Sequence, residues 1–196
     1  MKEKPIVITS ATGLLLGCIL GMAGSVVPSD TFRNLAWATG SAGIILASTL
    51  LTLYYFRKGY DMVAAGYLIL AIGESVVFSS CATNLDSNIP SFGAGTFLWA
   101  LAMAVLSFQK VFPLFVSCTG IIAAILFAIV SVLIFTGSPV NALTKPLPFY
   151  AYPFYAATLV GWAWTLIKKQ SIRSIENLKK ENRPYSTSRE KLTPLV

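Results

Sequence analysis

The sequence predicts an all-α integral membrane protein, a polytopic bundle of six transmembrane helices with a cytoplasmic N-terminus and a cytoplasmic C-terminus. Three observations carry this prediction: the composition, six long apolar segments and the distribution of basic residues. Of the 196 residues, 55% are hydrophobic and only 12% are charged, whereas an average soluble domain carries about a quarter charged residues. The few charges are clustered between long apolar runs, which is typical of a chain that crosses a membrane repeatedly.

Six apolar segments are each long enough to cross a bilayer, for which about 20 residues suffice. The predicted spans are residues 6–27, 35–56, 61–83, 91–109, 112–136 and 149–167. Pro, Asn, Asp and Ser cluster between several of them, as expected of connecting loops. The chain therefore divides into a six-span transmembrane domain, residues 1–167, and a basic cytoplasmic tail, residues 168–196. The tail is predicted to begin as a helix and to become disordered where its composition turns polar.

The basic residues predict the orientation of the chain in the membrane. With both termini inside, the outer side holds only Arg33 and Lys145. The inner side holds thirteen Lys and Arg residues, namely Lys2, Lys4, Arg57, Lys58, Lys110 and eight in the tail. Cytoplasmic segments of membrane proteins carry such an excess. The sequence also contains no Asn-x-Ser/Thr glycosylation site, which fits a bacterial inner membrane, the predicted location.

The formal net charge of +7 does not predict nucleic-acid binding, because its excess lies in the tail. Eight of the fifteen Lys and Arg residues follow residue 167. A basic segment directly after a membrane helix typically binds anionic lipid headgroups and fixes the topology. The expected partners are therefore the lipid bilayer and its anionic headgroups at the tail, and no nucleic acid.

The residue types that most enzymes and metal sites need are missing. The chain contains no histidine, which removes the commonest proton shuttle and zinc ligand. It also has no GxxxxGK[ST] phosphate loop, no CxxC pair and no paired intramembrane carboxylates. Cys18, Cys81 and Cys118 fall at different predicted depths, so a disulfide among them is not expected. We expect no enzymatic activity, no metal and no cofactor.

Glu74 is the one acidic residue predicted inside a membrane segment, near the midplane of the third span. Desolvation penalises a charged carboxylate in hydrocarbon, and such residues usually face a bundle interior or a wet cavity and serve a function. Tyr67 and Cys81 lie on or near the helical face of Glu74. Ser75 and Ser79 form a second row of polar residues on the adjacent face of the helix. Glu74, Tyr67, Ser75 and Cys81 form the predicted substrate or proton site. Candidate hydroxyl partners in spans two and six are Thr39, Ser41, Ser48, Thr49, Thr52, Tyr155 and Thr158.

Three roles are open for Glu74. It can titrate as a proton-coupling site, or it can hold a cationic or amine-bearing solute. It can also stay protonated and connect helices through hydrogen bonds, because hydroxyl groups are good partners for a neutral carboxyl group. The sequence alone does not choose among these roles.

A stripe of small residues at four-residue spacing runs along the first span, at Thr9, Gly13, Gly17, Gly21 and Ser25. On a helix, such a stripe lets another backbone approach closely. The approaching helix is either span two of the same chain or a helix of a second copy or partner membrane subunit.

The sequence leaves two functions open. The leading one is a small-solute transporter or permease-like protein with a midplane site at Glu74. The alternative is a non-catalytic membrane subunit or scaffold that oligomerises or binds a partner through the stripe.

Overall fold

The computed structural model describes residues 3–80 and 87–181, with side chains as far as Ile172 apart from Ser80. Six α-helices follow one another: α1 (Glu3–Val26), α2 (Asp30–Phe56), α3 (Asp61–Ser80), α4 (Ile89–Ser107), α5 (Leu114–Phe135) and α6 (Tyr152–Glu181), with a 3-10 turn at Phe149–Ala151. The described residues contain no β-strand, and the all-α prediction is confirmed. Cys81 and the tail from residue 182 onward lie outside the described residues.

The six helices form a closed ring in which neighbours in sequence are neighbours in space. Helix α1 packs on α2, α2 on α3, α3 on α4 and α4 on α5. Helix α6 packs against both α5 and α1 and so closes the ring. Short connections favour such an arrangement, because consecutive helices then have to run antiparallel beside one another. Side chains from different helices can therefore meet inside the ring.

The outer surface of the ring is apolar and suits a lipid environment. Helices α1 to α5 are each long and apolar enough to cross a membrane. Large apolar side chains are exposed along them, among them Ile19, Leu46, Leu68, Phe97 and Ile125, each at least 50% exposed. A water-soluble protein rarely exposes apolar patches of this extent. The fold is therefore that of an integral membrane protein.

The two ends of the bundle differ in charge. One end of the bundle carries Lys58 and Lys110 and is here called the basic end. Helix α1 starts at this end, and helices α2 and α4 terminate there. There, Lys58 Nζ lies 3.0 Å from Glu3 Oε2. The opposite end, here called the loop end, holds the connections 27–29 and 136–148.

Helices α1 and α2 approach closely at Gly13 and Gly17. A Cβ atom on Gly13 would lie 2.5 Å from the carbonyl oxygen of Gly43, and a Cβ atom on Gly17 would overlap the side chain of Ile44. Only glycine permits this separation of the two backbones, which van der Waals contact then stabilises. This part of the stripe packs inside the chain.

The remaining members of the stripe are less tightly packed, although Trp37 Nε1 in α2 still donates to the Gly21 carbonyl oxygen at 3.2 Å. Thr9 is exposed, and a Cβ atom on Gly21 would meet no atom within 4 Å. Ser25 is half-buried, and its hydroxyl donates to the Gly21 carbonyl oxygen at 3.1 Å. A four-residue step turns a helix by about 400°, so each member is rotated by about 40° from the previous one. The structure thus divides the expected continuous groove into a part packed tightly on α2, at Gly13 and Gly17, and a part that lines the cavity, at Gly21 and Ser25.

Candidate functional site

Glu74 lies in the interior of the ring, where it is only 3% exposed. Each of its two carboxyl oxygens accepts a hydrogen bond from another helix. Ser41 Oγ in α2 donates to Oε1 at 2.6 Å, and the Tyr155 hydroxyl in α6 donates to Oε2 at 3.2 Å. Both residues belong to the hydroxyl partners that the sequence suggested. One carboxyl group therefore connects three helices.

Helical spacing explains why Ser41 and Glu74 face the interior. The buried residues of α2 recur every three or four positions and include Ser41, Ile44 and Ala47. In α3, Glu74 follows the buried residues Leu70 and Ala71 at the same spacing. Residues three or four positions apart share one face of a helix. The apolar faces that drive the packing therefore carry these two polar side chains to the centre of the bundle.

Trp99 in α4 is the third neighbour of the carboxyl group. Its ring stacks on that of Tyr155, with 5.1 Å between the ring centroids. The Trp99 indole Nε1 is buried and has no hydrogen-bond partner among the described residues, although it lies close to the Glu74 carboxyl group. Two hydroxyl donors and one indole donor thus surround a single carboxyl group.

A cavity of about 90 Å³ reaches Glu74 from the loop end of the bundle. One water molecule needs about 10–15 Å³ of such space, so the cavity has room for about six to nine. Cys18, Ser41 and Trp99 line it near Glu74, and Asn34 lines it on the way to the loop end. Within the part of the chain that the structure describes, Glu74 is the one carboxylate that lines the cavity, and no Lys or Arg lines it. The site therefore combines an accessible volume with one acidic group.

Four buried aromatic residues fill the bundle between Glu74 and the basic end; we call this cluster the aromatic plug, and it consists of Tyr55, Tyr67, Phe112 and Trp162. The rings of Tyr55 and Tyr67 stack with their centroids 5.7 Å apart. Trp162 packs edge-on against Tyr67 at 5.3 Å and tilted against Phe112 at 5.9 Å. No residue of the plug lines the cavity. The cavity is thus separated from the basic end by packed rings.

The structure separates the residues that the sequence grouped into one site. Glu74 lines the cavity. Tyr67 lies on the same face two turns earlier and belongs to the aromatic plug. Ser75 follows Glu74 directly, and because one residue turns a helix by about 100°, it is exposed on the outside of α3. There its hydroxyl donates to the Ala71 carbonyl oxygen at 2.8 Å. Cys81 lies outside the described residues.

Three cavity residues, Cys18, Trp37 and Trp99, were not predicted to belong to the site. Each stands on a different helix from Glu74 and looks like an ordinary apolar residue of its span. No local pattern distinguishes them, because their placement depends on how α1, α2 and α4 are rotated against α3.

Within the described part of the chain, no three His, Cys, Asp or Glu side chains come together as a metal site.

Comparisons of the chain with protein-family models, with characterised proteins and with solved structures gave no match.

Proposed function

We propose that this protein is a small-solute transporter or permease-like protein, and not an enzyme, whose solute or coupling proton binds at Glu74. The observation that carries the proposal is the cavity that reaches this buried carboxyl group from the loop end. Transporters bind their solutes inside the helix bundle, at a site that opens to one side of the membrane at a time. An ionisable residue inside a membrane bundle commonly marks such a path.

The aromatic plug supports the same proposal from the other side. Tyr67 and Trp162 are at most 1% exposed, and they fill the space between the cavity and the basic end. A site that is open towards the loop end and closed towards the basic end corresponds to one of the two states of an alternating-access cycle. In the other state the plug separates and the loop end closes.

The proposed topology has six spans, with α6 as the last. The first sixteen residues of α6, 152–167, contain no charged residue, and α6 packs beside α1 and α5 as a full member of the ring. Cytoplasmic segments carry an excess of basic residues, so the basic end, which carries Lys58 and Lys110, is assigned to the cytoplasmic side. The N-terminus and the C-terminus are then cytoplasmic and the loop end faces outward. The proposed location is a bacterial inner membrane, with the basic tail on anionic headgroups.

The alternative function, a membrane subunit that docks through the α1 stripe, gains no support from the packing. Gly13 and Gly17 are buried against α2 of the same chain. Their close contact with Gly43 and Ile44 leaves these two positions no surface for another helix. A transporter therefore explains the cavity, the buried acid and the plug together.

The test measures transport by the purified protein in liposomes. A panel of small solutes, containing amines, carboxylates, sugars and neutral amides, is applied with and without a proton gradient, and solute uptake and proton flux are recorded. We expect at least one solute to move faster than in empty liposomes, and we expect Glu74→Gln to reduce that rate by at least about tenfold, since the amide cannot ionise.

The matched control for this test is Glu3→Gln, which makes the same chemical change at the surface of the basic end. Glu3 pairs with Lys58 at an exposed position, where an ion pair contributes little stability. Its transport rate should equal that of the wild type. If no solute and no proton crosses the wild-type liposomes above the background of empty ones, the transporter proposal is wrong.

A further inference from the structure

We propose that the cavity binds a small organic cation, with its ammonium group beside Glu74 and its carbon groups against the surrounding aromatic rings. The proposal rests on the transporter function for its biological meaning. Binding itself can be measured without transport, so the two proposals can fail separately.

The charge of the site favours a cation. Among the described residues that line the cavity, Glu74 is the one carboxylate, and none is Lys or Arg. Its partners, Ser41 and Tyr155, are neutral. A buried charge is costly unless an opposite charge lies beside it. An organic cation supplies that charge, whereas an anion is repelled and a neutral solute leaves the carboxylate uncompensated.

The hydrogen bonds at Glu74 favour the carboxylate as an acceptor. Ser41 donates to one carboxyl oxygen and Tyr155 to the other, and the buried Trp99 Nε1, which has no other partner in the described part of the chain, lies close by. Hydrogen bonds donated to a carboxylate stabilise its charged form. Each oxygen has a second lone pair, which remains for a ligand. These donors thus offset part of the cost of burying a negative charge at Glu74, and the carboxyl group lines the cavity.

Aromatic rings form much of the remaining cavity wall. Five rings contribute to it, namely those of Trp37, Phe92, Trp99, Tyr152 and Tyr155. The faces of Trp, Tyr and Phe rings attract ammonium groups, and their edges and faces also accommodate methyl and methylene groups. One carboxylate and several rings are therefore complementary to a cation whose charge is surrounded by carbon, such as a quaternary ammonium group or an aryl-substituted amine.

The volume limits the size of the ligand. Room for about six to nine water molecules in a cavity of about 90 Å³ corresponds to an organic molecule of a similar number of heavy atoms. Choline and benzylamine are suitable probes, since both have this size and carry one positive charge. Bulky lipophilic cations with several aromatic rings exceed it.

The experiment compares each cationic probe with a neutral molecule of the same shape. Choline is paired with 3,3-dimethyl-1-butanol, in which carbon replaces the ammonium nitrogen, and benzylamine is paired with benzyl alcohol. Binding to the protein in nanodiscs is measured by calorimetry at mildly alkaline pH, and by the change in intrinsic tryptophan fluorescence, to which Trp37 and Trp99 of the cavity contribute. We expect at least one cation to bind at least about tenfold more tightly than its neutral counterpart.

Two variants assign the binding to the cavity. Glu74→Gln should lower the affinity for the cation by at least about tenfold and bring it close to that of the neutral molecule. Glu3→Gln should bind the cation as the wild type does. If Glu74→Gln does not fold, the comparison of charged and neutral probes on the wild type still decides the matter.

The possible results separate the two proposals. If the neutral molecules bind as tightly as the cations, or if neither cation binds, the cation proposal is overturned, whatever the transport assay shows. If Glu74→Gln folds and binds the cation as tightly as the wild type, it is overturned as well. If a cation binds through Glu74 but nothing crosses the liposome membrane, the cation proposal stands and the transporter proposal falls.

Discussion

Ser41 Oγ donates a hydrogen bond to Glu74 Oε1 at 2.6 Å and thereby joins α2 to α3 inside the bundle. Tyr155 joins α6 to the same carboxyl group from the other side. The candidate site is therefore also a structural junction of three helices. Substitutions that remove one hydrogen-bond donor at a time separate the contribution of this junction to the stability of the fold from its contribution to ligand binding.

Ser41→Ala should destabilise the protein by about 1–2 kcal/mol, because it removes a hydrogen bond to a carboxyl group and leaves one oxygen of Glu74 without that donor. The matched control is Ser48→Ala on the same buried face of α2, since Ser48 Oγ is buried without a hydrogen-bond partner in the described residues. Unfolding in detergent, followed by circular dichroism against denaturant, measures both. Equal stability of the two variants would show that the Ser41–Glu74 bond does not stabilise the fold.

Tyr155→Phe should destabilise the protein by about 1 kcal/mol, because it removes the second donor to Glu74 while keeping the ring. The stacking of this ring on Trp99 is retained. Tyr67→Phe is the control, since the Tyr67 hydroxyl is fully buried and has no partner among the described residues, so its loss should be neutral or slightly stabilising. Thermal unfolding of the two variants side by side checks this difference, and the opposite order would contradict the assigned hydrogen bond.

Gly13→Ala should destabilise the packing of α1 on α2 by about 1–3 kcal/mol, the usual cost of an extra methyl group in a close contact. The added Cβ would lie 2.5 Å from the Gly43 carbonyl oxygen, which is backbone and cannot move aside cheaply. Gly21→Ala makes the same change where no atom lies within 4 Å. It should fold with unchanged or higher stability, because alanine favours the helix.

Both glycine variants are compared by their unfolding midpoints in detergent. If Gly13→Ala is as stable as the wild type, then α1 and α2 do not approach as closely as described. Gly21 lines the cavity, so if Gly21→Ala is the less stable of the two, the space beside Gly21 is not open as described.

Cys18 should react with a small, charged thiol reagent added from the loop end, because it lines the cavity that opens there. The experiment uses a protein in which Cys81 and Cys118 are replaced by serine, reconstituted in liposomes of known orientation. Added from the basic end, the same reagent should react much more slowly, since the aromatic plug lies between that end and the cavity. Mass spectrometry of the labelled protein measures both rates.

The control for this labelling keeps Cys118 as the single cysteine. Cys118 is exposed on α5, and within the proposed membrane it faces lipid, where a charged reagent does not penetrate. It should remain unlabelled from the loop end. Labelling of Cys18 only from the basic end would reverse the proposed direction in which the site is open.

The sequence contained enough information to find the helices and the acid at the candidate site. The length and apolarity of α1 to α5 exceed what a soluble protein tolerates on its surface, so the class of the fold follows from composition alone. Glu74 was identified for the same reason, since a carboxylate in such a segment is rare and costly. The neighbours of Glu74 were only partly identified: Ser41 and Tyr155 were among seven hydroxyl candidates, and Trp99 was not among the candidates.

Within α3, sequence spacing identified the face of the helix but not the depth. Tyr67 shares the face of Glu74, yet seven residues separate them by about 10 Å along the axis at 1.5 Å per residue. It therefore lies in the aromatic plug and not at the cavity. Ser75 is adjacent in sequence, but the turn of about 100° per residue places it on the outside of the bundle.

By itself the sequence determined that this chain is an α-helical membrane protein with one acidic side chain inside a span, because hydrophobicity and length are properties of each segment alone. Only the tertiary structure decided which side chains surround that acid, where the cavity opens and which glycines carry the helix contact. These features depend on the rotation and relative depth of separate helices, which van der Waals packing across the whole ring determines and no single segment encodes.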